Sequence, residues 1–282
     1  MTEYSNSCAD VQNMLIGAAH TIDTDAILNI YNQCEKQLFD IVKKEASQLF
    51  LYNRSEKYAT KNELLHHAHH GSIREKRALK LGYVIASIKP KSIIEIGSYL
   101  GLSAKFFLDL TAEWGGNLTS IDPNIRHRCF DCPRQYFKHM LKNDWSRVNC
   151  MDGFWLKRGD EEGHYLNTKP VLTKRKIAKK LAAVAVFSPK DIQDRFDMAF
   201  IDGNHDYESV KRDFEGICKV MNPGGCVVLD DASWPGVHHF VTDLKQNAER
   251  SDLGCVYVSN EWPDGIAAFF DNGYFAKMIN ND

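Results

Sequence analysis

The chain has no apolar run approaching the roughly 20 residues needed to span a bilayer as a helix. It has no excess of charge of one sign either. Its 35 basic and 37 acidic residues leave a formal net charge of −2 over 282 residues, so no global field selects nucleic acid or an anionic membrane. The opening "MTEYSNSCADVQ" lacks the basic flank and apolar run of a secretion signal, and the expected location is the cytoplasm. A second Cys-x-x-Cys pair is missing too. The eight cysteines are scattered apart from "CFDC" (Cys129–Cys132), which does not make a zinc ribbon on its own. Cys34, on an apolar helical stripe, and Cys226, in a strand-like run, read as buried thiols. There is no internal repeat and no low-complexity tract. What remains is ordinary: 44% hydrophobic and 26% charged residues, enough for one large domain with an N-terminal extension.

Residues 24–50 carry Ile27, Ile30, Cys34, Leu38, Ile41 and Leu49 at mostly helical spacing. The next stretch, "NRSEKYATKNELLHHAHHG", is polar. Its four histidines (His66, His67, His69 and His70) read as neutral residues of a surface helix sooner than as a metal cluster. "SIRE" (Ser72–Glu75) fits a capping box for a helix running to about Ile88, stopped by Lys89-Pro90. After Pro90 the rhythm changes to short apolar runs: "SIIEIG", "NLTSID", "RVNCMD", "FDMAFID" and "GCVVLDD". Helical patterns lie between them at Ser103–Glu113, Pro133–Asn143 and Tyr207–Met221. Strand–helix alternation predicts an α/β fold with a parallel sheet covered on both faces. Two last strands, near Cys255–Ser259 and Ile266–Phe270, are joined by the short "NEWPDG" and are expected to be antiparallel. The segment 155–195 is too long for a simple connection. Its "TKRKIAKKLAAVAVF" reads as a solvated helix with a buried end, or as a lid or anionic-partner site.

In open parallel sheets ligands bind beyond the carboxyl ends of the strands. The first strand here ends in "EIGSYLGLS" (Glu95–Ser103). Gly97 permits a sharp turn and Gly101 a close helix start. A dinucleotide fingerprint would need glycine where Tyr99 stands, and Glu95 would repel a pyrophosphate. S-adenosylmethionine, with its ammonium, its sulfonium and no phosphate, suits these residues better. Glu95 can favour its positive methionine end, Asp122 can accept from both ribose hydroxyls, and Asp152 falls where the adenine edge would lie.

On these residues, about Ser72 to Phe270 resembles the class I S-adenosylmethionine-dependent methyltransferases, and more narrowly the cation-dependent catechol and caffeoyl-coenzyme A type O-methyltransferases. Their glycine turn, E-[IL]-G-x-[YF]-x-G-x-S, is reproduced from Glu95 to Ser103, which carries Ser98, Tyr99 and Ser103 over as cofactor contacts. The resemblance implies a Rossmann-like sheet of seven strands, mostly parallel, with the last antiparallel to its neighbours. It implies a methyltransferase domain at 72–282 with an insert at about 155–195, behind an N-terminal helical extension at 1–71. It also implies that Asp202 binds a metal and, with the cofactor, shares the site. His205 stands where the family has a lysine base three residues later. "DDASW" supplies Asp230, Asp231 and Trp234 where the family carries Asp-Asn and an aromatic. "PDGIAAFF" agrees with the family's last hairpin.

The chemistry is coherent on its own terms. Methyl transfer to oxygen is an in-line displacement at a sulfonium, and the acceptor hydroxyl must lose its proton. Carboxylates at adjacent strand ends (Asp202, Asp230 and Asp231) suit a hard ion such as Mg²⁺, and His205 could take the proton near neutral pH. Plainer readings stand beside these: Asp202 as a helix cap, His205 as a surface residue, Asp230 and Asp231 as loop residues without a metal. Trp234 and Trp262 lie on loops that could flank the acceptor. The expectation is methyl transfer to a hydroxyl of a small molecule. Its rivals are a metal-independent O- or N-methyltransferase and a non-catalytic binding protein. No nucleic-acid partner is indicated. The oligomeric state stays open, a homodimer included.

Overall fold

The computed structural model of the chain describes residues 13, 17, 22–52, 61–125, 127, 130, 132–157, 181–251, 253–259 and 263–280. Cys129, Trp262 and the basic stretch 173–180 lie outside the described residues. No described helix is long and apolar enough to cross a membrane.

The apolar runs after Pro90 form strands β1 (Ser92–Ile96), β2 (Asn117–Asp122), β3 (Val148–Trp155), β5 (Phe196–Ile201) and β6 (Met221–Leu229). The last pair is β7 (Gly254–Ser259) and β8 (Ile266–Asp271). An unexpected β4 (Ala185–Phe187) pairs in parallel with the end of β3. The sheet therefore has eight strands, not seven, in the order β4-β3-β2-β1-β5-β6-β8-β7. β8 runs antiparallel to β6 and β7, and every other pairing is parallel. The extra strand arises inside the 155–195 segment. Its apolar end, "AVF", finishes as an edge strand, and β3 itself runs on to Trp155.

Alternation along the strands divides the core into two halves. Ile93, Met198, Phe200, Cys226, Val228, Ala268 and Phe270 face one side. Ile94, Ile96, Ala199, Ile201, Val227, Leu229 and Phe269 face the other. The first side is covered by α1 (Thr24–Tyr52), α2 (Lys61–His70), α3 (Glu75–Ile88), α4 (Leu102–Leu110) and α5 (Pro133–Met140). The second is covered by α6 (Tyr207–Cys218), α7 (Pro235–Ser251) and α8 (Tyr274–Asn280). This is a Rossmann-like fold.

Helix α1 buries Ile27, Tyr31, Cys34, Leu38 and Val42 in the same cluster as α3, α4 and α5. Of the expected stripe, Ile27, Cys34 and Leu38 are buried, Tyr31 and Val42 join them, Ile30 and Ile41 flank it, and the Leu49 side chain lies outside what is described. The capping box at Ser72–Glu75 does not form. Glu75 is the first helical residue, and Arg74 sits at the cap with extended backbone and no side-chain cap bond. Helix α3 then ends at Ile88 with Lys89 in a left-handed conformation, its N–H bonded to the Ile85 carbonyl.

Candidate active site

Strand order reverses at β1, with β2 on one side and β5 on the other, the usual position for a ligand crevice. Each strand tip here is tied to its neighbour one residue past the strand. The Gly97 N–H donates to the Ile121 carbonyl (2.9 Å), Asp202 N–H to Ile96 (2.9 Å), and Asp230 N–H to Ile201 (3.0 Å). These bonds put Gly97, Asp202 and Asp230 side by side at the sheet edge. Gly97 has φ of 86°, and a Cβ there would lie 2.2 Å from the Asp202 carbonyl oxygen. Glycine is thus required by the neighbouring strand tip as well as by any ligand. Gly101 (φ 91°) starts α4, and a Cβ there would meet the Phe137 ring at 2.9 Å, so it lets α4 begin close against α5.

The glycine turn is held from below. Asp122 Oδ2 accepts the backbone N–H groups of Ser98 and Tyr99, both at 3.0 Å, and Oδ1 accepts that of Asn124 at 2.7 Å. Tyr99 takes positive φ in this clamp. Glu95 lies on the α4 face of β1 rather than in the crevice, fully buried, and accepts a hydrogen bond from the Ser103 hydroxyl. Burial pushes its carboxyl up to about 8. The Asp152 carboxylate is paired with Arg134 at 2.6 Å, so the crevice wall at this point is Gly153 and Phe154. Of the residues expected at the cofactor, Gly97, Tyr99, Asp122 and Asp202 line the crevice. Glu95, Ser98, Gly101 and Ser103 are buried behind its surface, and Asp152 is exposed outside its lining.

The crevice has a volume of about 650 Å³ and also holds His205, Asp231, Arg77 and Trp234. His205 Nε2 lies 3.4 Å from Asp202 Oδ1, and His205 Nδ1 lies 3.5 Å from Asp231 Oδ2. The Trp234 ring stands 5.9 Å from the imidazole. Burial alone would lower the His205 pKa, but the hydrogen bond and charge of Asp202 and the charge of Asp231 overcome it and raise the pKa above the usual value. The cap of α6 is Asp206, whose side chain accepts the Ser209 N–H at 2.9 Å. Asp202 is therefore not spent on capping.

Ligand atoms of Asp202, His205 and Asp231 all lie within 4.8 Å of one another. These three residues fit a divalent cation. Asp230, expected among the ligands, is not in the set. It is buried behind the crevice and ion-paired with Arg77. Its Oδ1 is a buried acceptor without a hydrogen-bond partner among the described residues.

Arg77 and Arg74 are the site residues that sequence reading missed. The signal was present: Ile73, Arg77, Leu81 and Ile85 form one buried stripe at four-residue spacing, and a charge on such a stripe calls for a partner. Asp213 is a second case, lying on the α6 stripe with Val210, Phe214 and Ile217 and lining the crevice. Burial raises its carboxyl to about 7, against the opposing pull of Arg212. The native protein thus holds a proton that the unfolded chain releases. Stability from this group is full below about pH 4 and is lost as pH rises through about 7. Between about pH 5 and pH 7 the loss is roughly 2 kcal/mol. Urea unfolding of wild type against Asp213→Asn checks this, since the wild type should lose stability across that window relative to the variant. Parallel behaviour would mean that Asp213 ionises normally in the fold.

A strand-order switch, a clamped glycine turn and an acid–histidine cluster meet in one crevice, an arrangement that fits the class I S-adenosylmethionine-dependent methyltransferases. Residues 94–232 match the family model described as "Methyltransferase domain". That span runs from β1 through the Asp230–Asp231 pair, and it is a methyltransferase domain. Among solved structures, the chain is similar to an S-adenosylhomocysteine-bound methyltransferase of Podospora anserina. The two share 15% identity over 86% of this chain and 93% of that one, with a TM-score of 0.47. It is also similar to the O-methyltransferase TomG of Streptomyces achromogenes in complex with S-adenosylmethionine (19% identity, 72% and 82% covered, TM-score 0.44). A third is an O-methyltransferase of Bacillus cereus in complex with S-adenosylhomocysteine (13% identity, 83% and 90% covered, TM-score 0.44). No curated protein matches the sequence.

Proposed function

We propose that the protein transfers the methyl group of S-adenosylmethionine to a hydroxyl of a small molecule, with a divalent cation held by the Asp202 and Asp231 carboxylates, which leaves the His205 lone pair for the proton. The observation that carries this reading is the shared crevice. The Gly97 turn and the acid–histidine cluster meet through the Asp202 backbone, so a donor at one lies beside an acceptor at the other. On this reading Asp122 receives the ribose hydroxyls with the lone pairs its backbone bonds leave free. Glu95, Ser98, Gly101 and Ser103 act beneath the methionine end, and Gly153 and Phe154, backed by Asp152, face the adenine. Residues 72–282 form the catalytic domain, and the extension at 1–71 roofs it through α1 and α2.

The reaction forms a carbon–oxygen bond as the carbon–sulfur bond breaks, leaving a neutral thioether. The hydroxyl proton leaves with His205 as the nearest base, steadied as imidazolium by Asp202 and Asp231. A bound Mg²⁺ or similar ion would lower the hydroxyl pKa and orient the oxygen. Trp234 offers an apolar wall for a planar acceptor.

His205→Ala is expected to slow turnover by about 10²–10⁴-fold while leaving S-adenosylmethionine affinity nearly unchanged. In the wild type without added cation, His205 should titrate above the ordinary imidazole value of about 6.5, as read by NMR, because Asp202 and Asp231 favour its protonated form. Calorimetry with the cofactor, and S-adenosylhomocysteine release across a panel of phenols and sugars, with and without chelator, test the whole reading. Cofactor binding without turnover on any acceptor would leave a binding protein. One observation favours turnover without a metal, namely the fixed cation Arg77 at Asp230, and undiminished rates in chelator would establish it.

A further inference from the structure

We propose that the groove between α6 and α7 is a second ligand site, one that takes a free α-amino acid with an apolar side chain, an aromatic one best. This goes beyond the methyl transfer proposed above and does not rest on it. The groove has a volume of about 360 Å³, within the range of small-molecule sites. It shares no lining residue with the crevice at the strand tips. Helical spacing builds it. Tyr207, Lys211, Phe214 and Glu215 fall on one stripe of α6, and Phe240, Asp243, Leu244 and Asn247 fall on one stripe of α7. Phe269 of β8 lines it from the sheet.

The apolar part is a cluster of buried rings. The Phe214 centroid lies 5.4 Å from those of both Phe240 and Phe269. Tyr274 and Tyr207 extend the cluster, with rings 5.6 Å from Phe269 and 6.1 Å from Phe240. The polar part carries charge of both signs. Lys211 and Glu215 stand one turn apart, yet among the described residues neither side chain makes an ion pair or a hydrogen bond. Lysine four residues before glutamate is the weaker order for a helical pair, so both charges are available to a ligand. Asp243 is already engaged. Its Oδ2 accepts the Tyr207 hydroxyl at 2.8 Å and lies 3.9 Å from His239 Nε2.

This mixture selects by charge. A simple cation would meet Lys211, and a simple anion would meet Glu215 and Asp243. A zwitterion meets an opposite charge at each end, its carboxylate at Lys211 and its ammonium at Glu215, with Asp243 adding to the negative side. Two such poles on one carbon, joined to an apolar group that the rings can bury, make an α-amino acid. An aromatic side chain gains ring contacts beyond its buried area.

The test is calorimetry of L-phenylalanine with the full-length chain saturated with S-adenosylhomocysteine, whose own amino-acid end then fills the crevice. Wild type should bind one phenylalanine with Kd below about 1 mM. N-acetyl-phenylalanine lacks the ammonium and phenylalanine amide lacks the carboxylate, and each should bind at least about tenfold more weakly. Lys211→Met should weaken phenylalanine about tenfold while leaving the amide as in wild type. Glu215→Gln should weaken phenylalanine likewise while leaving the N-acetyl compound unchanged. Lys211 is partly exposed and Glu215 exposed, so both variants should melt as wild type does. Absence of binding at about 10 mM, or an amide bound as tightly as the free amino acid, would overturn the proposal. Wild-type affinity in both variants would place the ligand elsewhere and do the same. So would phenylalanine binding that S-adenosylhomocysteine abolishes, which belongs to the crevice. If S-adenosylhomocysteine itself does not bind, the cofactor assignment fails separately, and phenylalanine with the two variants decides the groove on its own.

Discussion

Gly97→Ala is expected to abolish measurable S-adenosylmethionine binding and to cost about 3 kcal/mol or more of stability. The left-handed backbone alone accounts for about 1–2 kcal/mol for a residue with a Cβ. The remainder comes from collision, since the new methyl would sit 2.2 Å from the Asp202 carbonyl oxygen. That oxygen has nowhere to go. The Asp202 N–H is bonded to β1 and the Gly97 N–H to β2, so relief requires breaking a ladder at the sheet edge. Thermal unfolding and calorimetry of the variant check both parts. Wild-type affinity with lowered stability would separate the turn from the cofactor and remove the site placement. Read from the sequence, this glycine serves a sharp turn and the approach of a ligand, not the neighbouring strand tip.

Asp122→Ala should show the second large effect. It removes the acceptor for three backbone N–H groups, those of Ser98, Tyr99 and Asn124. Charge-assisted bonds contribute about 1.5–3 kcal/mol each and are not additive, so a net loss of about 3 kcal/mol is expected. Cofactor affinity should fall by about 100-fold, because the turn loses its anchor as well as the ribose its acceptor. The two readouts distinguish the roles. A residue that only bound ribose would lower affinity and leave the melting temperature of the free protein alone. Asp122→Asn, which keeps one acceptor oxygen, should fall between wild type and alanine in both.

Much of this architecture could be read from the chain because strands buried on both faces announce themselves. "SIIEI" and "NLTSID" became strands as written, and Asp202 and Asp230 did fall at the sheet tips, while Asp152 did not, because β3 runs on to Trp155. β4 escaped because three residues carry no period, and because the basic stretch before them reads as helix. The direction of Asp230 escaped for another reason. It is set by Arg77, 153 positions away in the sequence, and no local pattern encodes which of two adjacent aspartates will meet a distant guanidinium. Glu95 stands one residue before the end of β1 and is buried, and Asp152 stands three residues before the end of β3, exposed and turned to Arg134. A strand end fixes where a residue stands, while packing against Ser103 or Arg134 fixes which way it looks. The stripe residues Arg77 and Asp213 were the legible clue passed over.

The bond from Asp202 to Ile96 also fixes a length. It makes the offset between donor turn and proton acceptor a lattice spacing of the sheet, about 4.8 Å from one strand to the next. Lengthening a surface loop leaves that gauge untouched. Diversification of the acceptor therefore falls to whatever α2, α3 and the segment before β8 carry across the mouth, while the transfer distance is inherited from the scaffold.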